Sequence, residues 1–397
     1  MNQPVKQHLI DPEICIRCHT CEEACTVGAI THDANNVVVD ASKCNFCMDC
    51  IAPCPTGSID NWRIVDLPFS LEAQLSWTEL PVQADVASGG AGGDAVDDVV
   101  AALLAEAHAG AGGAAKAPAT ASKPSVNLFS ASRPAIATVQ GNYRLTSETA
   151  DSDVRHIILD LGGTVFPVLE GQTVGVIPPG VDSEGRRHKM RLYSISSPRD
   201  GERPATNNLS LTVKREPQGV ASNYICDLKK GDKVELAGPY GATFLLPDDA
   251  STNVIMICTG TGSAPFRGFT MRRQRTTGQS AQPSAGMTLF FGARSPQALP
   301  YFGPLGKVPE TLLTKHFAFS RVAGEPKHYV QDQMRLQAPA MAEALGQPET
   351  HIYVCGLKAM EAGVEQAFED IARGAGLIWK SIRDAMRDEG RYHVETY

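Results

Sequence analysis

The sequence predicts a multidomain protein of mixed α+β and α/β class, in which a small cysteine-rich module precedes an antiparallel β-barrel and a parallel α/β domain. Three observations predict it. Eight of the eleven cysteines fall between residues 15 and 54; residues 82–125 are dominated by Ala and Gly; and beyond them short alternating apolar runs give way near residue 250 to continuous apolar runs followed by helical stretches. At 397 residues the chain exceeds one ordinary domain of roughly 150 residues. With 43% hydrophobic and 20% charged residues it has the composition of folded globular protein. The expected divisions are residues 1–81, 82–125, 126–250 and 251–397.

In the first module Cys15-x2-Cys18-x2-Cys21-x3-Cys25 is followed by Cys44-x2-Cys47-x2-Cys50-x3-Cys54-Pro55. Two-residue gaps let a loop wrap three thiolates around one iron–sulfur cluster, while the cysteine three residues further on reaches the other cluster. On that rule one 4Fe-4S cluster takes Cys15, Cys18, Cys21 and Cys54, and the second takes Cys44, Cys47, Cys50 and Cys25. Paired C-x2-C motifs also suit two structural zinc sites, but the doubled run argues against them. The first run carries Thr26 where the second has Pro55, which leaves the ligands untouched. Residues 8–62 resemble a bacterial two-cluster ferredoxin, which implies a short wire carrying one electron per cluster.

Residues 82–125 cannot bury enough apolar surface to offset chain entropy and are expected to form a flexible tether. The run from Asp97 to Glu106 has the pattern of a short amphipathic helix, expected to be transient rather than docked. After the tether, Ile157–Leu161 and Leu209–Val213 read as antiparallel strands between Gly/Pro turns, giving a barrel up to about Pro247. Val254–Cys258, Thr288–Phe291 and His351–Cys355 then read as buried parallel strands.

Arg191-Leu192-Tyr193-Ser194-Ile195-Ser196-Ser197 resembles the R-x-Y-S-x-S/T motif of the ferredoxin–NADP reductase family. The resemblance implies that Arg191 clamps the FAD pyrophosphate, Tyr193 stacks on the flavin and Ser194 reaches flavin N5. Gly219-Val220-Ala221-Ser222-Asn223-Tyr224 is similar to the second FAD motif of that family, in which a glycine-led helix start offers N–H groups to phosphate. The family often has cysteine where Ala221 stands. Gly238–Phe244 matches the turn that closes the barrel and is expected to be structural.

Cys258-Thr259-Gly260-Thr261-Gly262-Ser263-Ala264-Pro265-Phe266 is a strand-loop-helix suited to a pyrophosphate, and it resembles the T-G-T-G-x-A-P-F/L motif of the same family. Ser320 and Arg321, with Lys327 and Tyr329 following, resemble its clamp on the 2′-phosphate, which implies NADPH; an acidic residue at position 320 would have implied NADH. Arg294, after Phe291-Gly292-Ala293, lies where the family often meets the cofactor. Cys355-Gly356 resembles the motif facing the nicotinamide. The chain finishes His393-Val394-Glu395-Thr396-Tyr397, similar to the plant-type V-E-x-Y ending, which implies that Tyr397 gates the flavin and that Glu395 lies beside it. Catalytic positions are therefore expected at Tyr193, Ser194, Cys355, Glu395 and Tyr397. The family resemblance covers residues 128–397.

NADPH delivers hydride, whereas a cluster accepts one electron at a time, and a flavin connects the two kinds of chemistry. The expected route runs from NADPH to FAD, then through both clusters to an external acceptor. A two-cluster ferredoxin ahead of a plant-type reductase resembles the reductase components of benzoyl-CoA oxygenases. That resemblance implies a separate di-iron oxygenase as acceptor, forming the 2,3-epoxide of benzoyl-CoA in aerobic benzoate degradation. Two alternatives stay open: a ferredoxin–NADP reductase fusion serving another low-potential partner, or a cysteine module with a non-redox docking or zinc role.

Net charge is −8. Residues 1–81 hold eleven acidic against four basic side chains and residues 82–125 five against two, so residues 126–397 are left slightly basic at about +2. That excludes a nucleic-acid footprint, and an acidic module beside a mildly basic one favours electrostatic docking. No leader-like or membrane-length apolar run is apparent, so a cytoplasmic location is expected.

Overall fold

Three bodies of secondary structure follow one another along the chain. The computed structural model describes residues 5–81 except 48, 52, 60 and 66, residues 98–109 and 113, and residues 115–397 except 205 and 278–284.

In the first body, β1 (Val5–Leu9) pairs antiparallel with β4 (Asn61–Val65), and β2 (Ile30–His32) forms a hairpin with β3 (Val37–Val39). Helix α1 (Thr20–Glu23) and helix α2 (Leu71–Leu75) are short. Ile10, Ile30, Val37, Val39 and Ile59 make a small core around Cys21 and Cys50. Polar clamps supplement it. The Gln74 side chain bonds both the N–H and the C=O of Val39, at 3.2 and 3.0 Å, and Asn36 donates to the backbone oxygens of Leu75 and Trp77 at 3.1 and 2.7 Å. Such bonds satisfy buried backbone where apolar surface is scarce.

The tether departs from expectation. Helix α3 (Asp98–Ala107) is docked, not transient. Val100 is 1% exposed and packs with Ile177, Met190, Ala237 and Tyr240 of the barrel, with half-buried Leu104 alongside, and His108 Nδ1 lies 3.1 Å from the Val394 carbonyl oxygen. The apolar stripe of the helix finds an apolar patch contributed by distant strands, and burying it offsets the entropy of ordering the segment. Residues 115–125 are also ordered: Gln172 Nε2 donates to the Ser125 oxygen at 2.9 Å and the Asp248 N–H to the Thr120 oxygen at 3.3 Å. Residues 82–97, the remainder of the expected tether, lie outside the described residues, as do 110–112 and 114.

The barrel comprises β5 (Ala135–Arg144), β6 (Val154–Asp160), β7 (Thr173–Ile177), β8 (Arg191–Ser194), β9 (Asn208–Lys214) and β10 (Lys233–Tyr240), with α4 (Val220–Asp227) between the last two. Their order is β8-β7-β10-β5-β6-β9, every pairing is antiparallel, and an Ile195–Leu211 bridge brings the two edges together. A bulge between Val139 and Gly141 bends β5 around the core. Inside lie Val139, Leu159, Val174, Val176, Leu209 and Leu211.

The third body holds β11 (Asn253–Thr259), β12 (Met287–Ala293), β13 (Leu313–Phe319), β14 (Thr350–Gly356) and β15 (Tyr392–Thr396), all parallel in the order β13-β12-β11-β14-β15. The connections carry α5 (Ser263–Thr276), α6 (Phe302–Gly306), α7 (Val330–Leu336), α8 (Ala338–Leu345), α9 (Glu361–Gly374) and α10 (Trp379–Asp388). Strand alternation divides the core in two. Ile255, Ile257, Ile352 and Val354 face one apolar layer, while Met256, Cys258, Tyr353 and Cys355 face the other with Phe266 and Phe269.

Partly buried ion pairs join the second and third bodies. Arg267 reaches Glu202 at 2.7 Å, His156 Nε2 lies 3.2 Å from the same carboxylate, and the Tyr301 hydroxyl bonds His156 and Thr212 at 2.8 and 2.6 Å. Burial by itself would raise the Glu202 carboxyl, but the bonds and charges of His156 and Arg267 outweigh it and hold it well below the ordinary carboxylate range. The seam is therefore fixed. No helix among the described residues is long and apolar enough to cross a membrane.

Candidate electron-transfer site

The cysteines fall into two groups that exchange a member. Cys25, Cys44, Cys47 and Cys50 line one cavity with His8, Val27, Ile30, Val39 and Phe46. Burial, with Cys44, Cys47 and Cys25 adding their charges, pushes the Cys50 thiol up to about 12. In the other group, burial and then the charges of Cys15 and Cys54 push Cys21 up to about 11. Burial also acts to raise Cys54, but hydroxyl and amide donors from Ser58, Ile59 and Thr56 prevail and bring it down to about 7. Further donors face sulfur: the Ala29 N–H lies 3.2 Å from Cys25 and the Thr20 hydroxyl 3.3 Å from Cys18. Crowded thiols that repel one another as anions, served by donors aimed at sulfur, fit a cationic iron–sulfur group.

The backbone repeats along with the ligands. Arg17 and Phe46, each two residues after the first cysteine of its run, have φ of 57° and 60°; Gly28 and Gly57, each three after the last, have φ of 59° and 71°. These left-handed turns wind each loop about its thiols. Glycine signals the second pair in the sequence. Nothing signals the first.

A cavity of about 560 Å3 opens beside β8 and the start of α4. Arg191, Tyr193, Gly219, Val220, Ala221 and Ser222 all line it. Gly219 caps the helix, and the Ser222 hydroxyl accepts from the Glu216 N–H at 3.1 Å, holding the loop. Arg186, Arg187, His188 and Lys189 line the same cavity and were not singled out from the sequence, although their basic run was visible there. Cationic walls and a helix N-terminus suit a pyrophosphate. Tyr193 is half-buried against the barrel core, and burial holds its phenol above the ordinary value. Ser194, the last residue of β8, pairs in register with Thr173.

The carboxyl ends of the parallel strands form the other half of the cleft. Thr259, Gly260, Thr261 and Gly262 carry the chain from β11 into α5. A Cβ on Gly262 would stand 2.2 Å from the Cys355 carbonyl oxygen, so only glycine fits where these strands converge. Cys355 is fully buried, in register with Cys258 on one side and Glu395 on the other, and burial first, then Glu395, drives its thiol well up. Glu395 is 7% exposed; Thr173 Oγ1 lies 3.5 Å from its Oε1, its Oε2 has no partner, and burial raises the carboxyl to about 7. An orphaned buried carboxylate oxygen marks a place where a further polar group belongs. Tyr397 is 56% exposed, its hydroxyl 2.6 Å from Thr261 Oγ1 and its N–H 3.1 Å from the Gly356 oxygen. Thus Cys355, Glu395 and Tyr397 gather at the strand ends, Glu395 meeting Thr173 across the seam and Thr173 pairing with Ser194, while Tyr193 lies in the cavity beside β8.

Ser320 and Arg321 follow β13, and the His328 N–H donates to the Phe319 oxygen at 3.1 Å, which brings Lys327 and Tyr329 alongside. Tyr329 caps the start of α7, its N–H donating to Asp332 at 2.9 Å. Arg294, after β12, lies 2.5 Å from Asp151, and Arg321 lies 3.8 Å from it. Asp151, a barrel-loop carboxylate facing these arginines, was not anticipated from the sequence.

Comparison with known proteins decides the family. Residues 7–55 match the 4Fe-4S dicluster domain family, 147–244 the oxidoreductase FAD-binding domain and 256–366 the oxidoreductase NAD-binding domain. Ferredoxin–NADP reductase from the cyanelle of Cyanophora paradoxa is 39% identical over 287 residues, covering 68% of this chain and 79% of that protein. The chain belongs to the ferredoxin–NADP reductase family. The Synechocystis ferredoxin–NADP reductase is 36% identical over 288 residues, 68% of this chain and 70% of its own, and the leaf-type chloroplast isozyme of Nicotiana tabacum is 34% identical over 288, at 68% and 79%. Among solved structures, the Plasmodium falciparum reductase aligns with a TM-score of 0.55 at 25% identity, over 68% of this chain and 99% of that one. The same reductase with 2′P-AMP aligns at 26% identity, the same TM-score and the same coverage. The chain is therefore an NADP-dependent, FAD-binding oxidoreductase that carries a 4Fe-4S dicluster domain.

Proposed function

We propose that this reductase passes electrons from NADPH through FAD and two 4Fe-4S clusters to a separate di-iron oxygenase that epoxidises benzoyl-CoA in aerobic benzoate degradation. The observation that carries the two-cluster reading is the exchange of Cys25 and Cys54 between two groups of four thiols, inside the segment that matches a dicluster domain. The choice of oxygenase rests on the order of modules, a two-cluster ferredoxin ahead of a plant-type reductase.

Cys15, Cys18, Cys21 and Cys54 would hold one cluster, and Cys25, Cys44, Cys47 and Cys50 the other. Arg191 and the Gly219–Ser222 turn would hold FAD, with Tyr193, Ser194 and Tyr397 about its ring. Residues 259–262 would take the pyrophosphate of NADPH, and Ser320, Arg321, Lys327 and Tyr329 its 2′-phosphate. When bound, the flavin accepts hydride and releases electrons singly, and the clusters carry single electrons.

This chain's residues position and gate that chemistry. Tyr397 is tied through its side chain by one hydroxyl bond to Thr261 and leaves much of its surface exposed, so it can swing aside for a nicotinamide. Cys355 and Gly262 shape a floor that excludes water and bulk. Glu395, with a carboxyl near 7, holds a proton at its unpartnered oxygen at mildly acidic pH and releases it at mildly alkaline pH.

Anaerobic NADPH titration monitored by absorption and EPR tests the cofactor set. Reduction of FAD and of two cluster signals is expected, and NADPH oxidation should accelerate when the di-iron partner and benzoyl-CoA are added. Flavin without iron or labile sulfide would overturn the account. Kinship with ferredoxin–NADP reductases favours a second reading, in which another low-potential partner exchanges electrons with the clusters. Cluster potentials far below that of NADPH, with no response to benzoyl-CoA, would select it.

A further inference from the structure

Outside the thiol groups, the cysteine-rich module gathers three further side chains of types that can ligate a metal. His19 precedes the four-residue α1, Glu22 lies within it and His32 ends β2. One ligand atom from each lies within 4.8 Å of the other two. His32 Nδ1 is 2.7 Å and His19 Nδ1 3.4 Å from the same oxygen, Glu22 Oε2. The imidazoles are tilted at 50° with centroids 4.0 Å apart, so they are not stacked face to face.

We propose that His19, Glu22 and His32 form a three-ligand site for a divalent cation of the zinc class, separate from the iron–sulfur groups.

Zinc lies about 2.0–2.2 Å from imidazole nitrogen and carboxylate oxygen, so ligand atoms of a tetrahedral site stand roughly 3.4 Å apart. The trio needs only small side-chain rotations to reach that spacing. His19 Nδ1 is shielded from solvent and has no hydrogen-bond partner, although it lies 3.4 Å from the carboxylate. A cation between the three groups would satisfy it. The His19 backbone is left-handed, with φ of 59°, and this turn sets its ring opposite the hairpin residue His32. The β2–β3 register, with His32 opposite Val37 and all three residues of β3 buried, fixes the other side.

Two imidazoles and one carboxylate select a borderline cation over calcium or magnesium, which prefer all-oxygen shells. Three protein ligands leave a fourth position for water. The surroundings favour a dication as well, since residues 1–81 carry eleven acidic against four basic side chains.

The test uses anaerobically purified full-length holoprotein, with Zn2+ competed against a chromophoric chelator and iron measured throughout. One zinc equivalent per chain is expected, with no loss of iron. Removing a direct ligand should weaken binding at least as much as the roughly 100-fold upper cost of losing an outer-shell partner. Glu22→Gln and His32→Gln should therefore lose affinity by about 100-fold or more while retaining wild-type iron and sulfide. Equal zinc affinity in wild type and both variants overturns the proposal, as does zinc uptake matched by iron loss. A readout independent of variants is Co2+ added to the wild-type protein: two paramagnetically shifted imidazole N–H signals support the site, and none overturns it.

Discussion

The cysteine-rich module and the reductase body solve the same folding problem with different materials. The reductase encloses its core within a six-stranded barrel and on both faces of a five-stranded parallel sheet, and its candidate cofactor residues lie in a cleft at the edge of that core. The module has a handful of aliphatic side chains, and cysteines occupy the middle of them. Its proposed metal ligands are part of its core. Small domains of this kind need a metal or a cross-link to be stable, whereas larger bodies do not. The binding group is thus a guest in one region and a structural member in the other.

The largest test of that contrast is Cys50→Ser. On the proposed two-cluster reading, iron is expected to fall by roughly half or more, with residues 5–81 becoming protease-sensitive while NADPH oxidation by ferricyanide persists. Loss of ferricyanide-dependent NADPH oxidation together with the iron would show that the regions fold as one.

Within the reductase body, Glu395→Gln probes a site that sits beside a core without supporting it. The Glu395 carboxyl is raised from 4.5 to about 7, so the native chain binds an extra proton between those values and stability falls as pH rises through that window. The loss amounts to on the order of 3 kcal/mol for the cofactor-free protein, and it should vanish in the glutamine variant when denaturation is followed at pH 5 and pH 8. The variant should also lose any inflection near neutrality in the pH profile of NADPH oxidation.

Val100→Ala tests the region joining the two. Two buried methyl groups fewer should cost about 1.6 kcal/mol, read as faster amide exchange in α3 with the barrel unaffected. The smallest expected change is in Tyr397→Ser, where relief of gating should tighten NADP+ binding about tenfold, or 1.4 kcal/mol. Unchanged affinity would remove the gating role.

The sequence disclosed most where local chemistry is decisive. Continuous apolar runs marked β11, β12 and β14 to within a residue or two at each end because both faces of those strands are buried. The cysteine spacing was legible because ligand geometry fixes it. Contacts between distant segments were not. The stripe on α3 is short and diluted by alanine, and the patch that receives it comes from Ile177, Met190, Ala237 and Tyr240, more than seventy residues away. Asp151 beside Arg294, and the unpartnered oxygen of Glu395, likewise depend on how the barrel meets the sheet. The four basic residues at 186–189 were visible but carried no spacing that tied them to a phosphate.

Docking of α3 sets a leash length. From Pro81 to Asp98 the backbone can reach no further than roughly 60 Å, against roughly 155 Å if all of residues 82–125 were free, taking about 3.5 Å for each step. The shorter contour limits how far the cysteine-rich module can stand from the reductase body whatever path residues 82–97 take, and a covalent connection keeps one near the other however dilute the protein becomes.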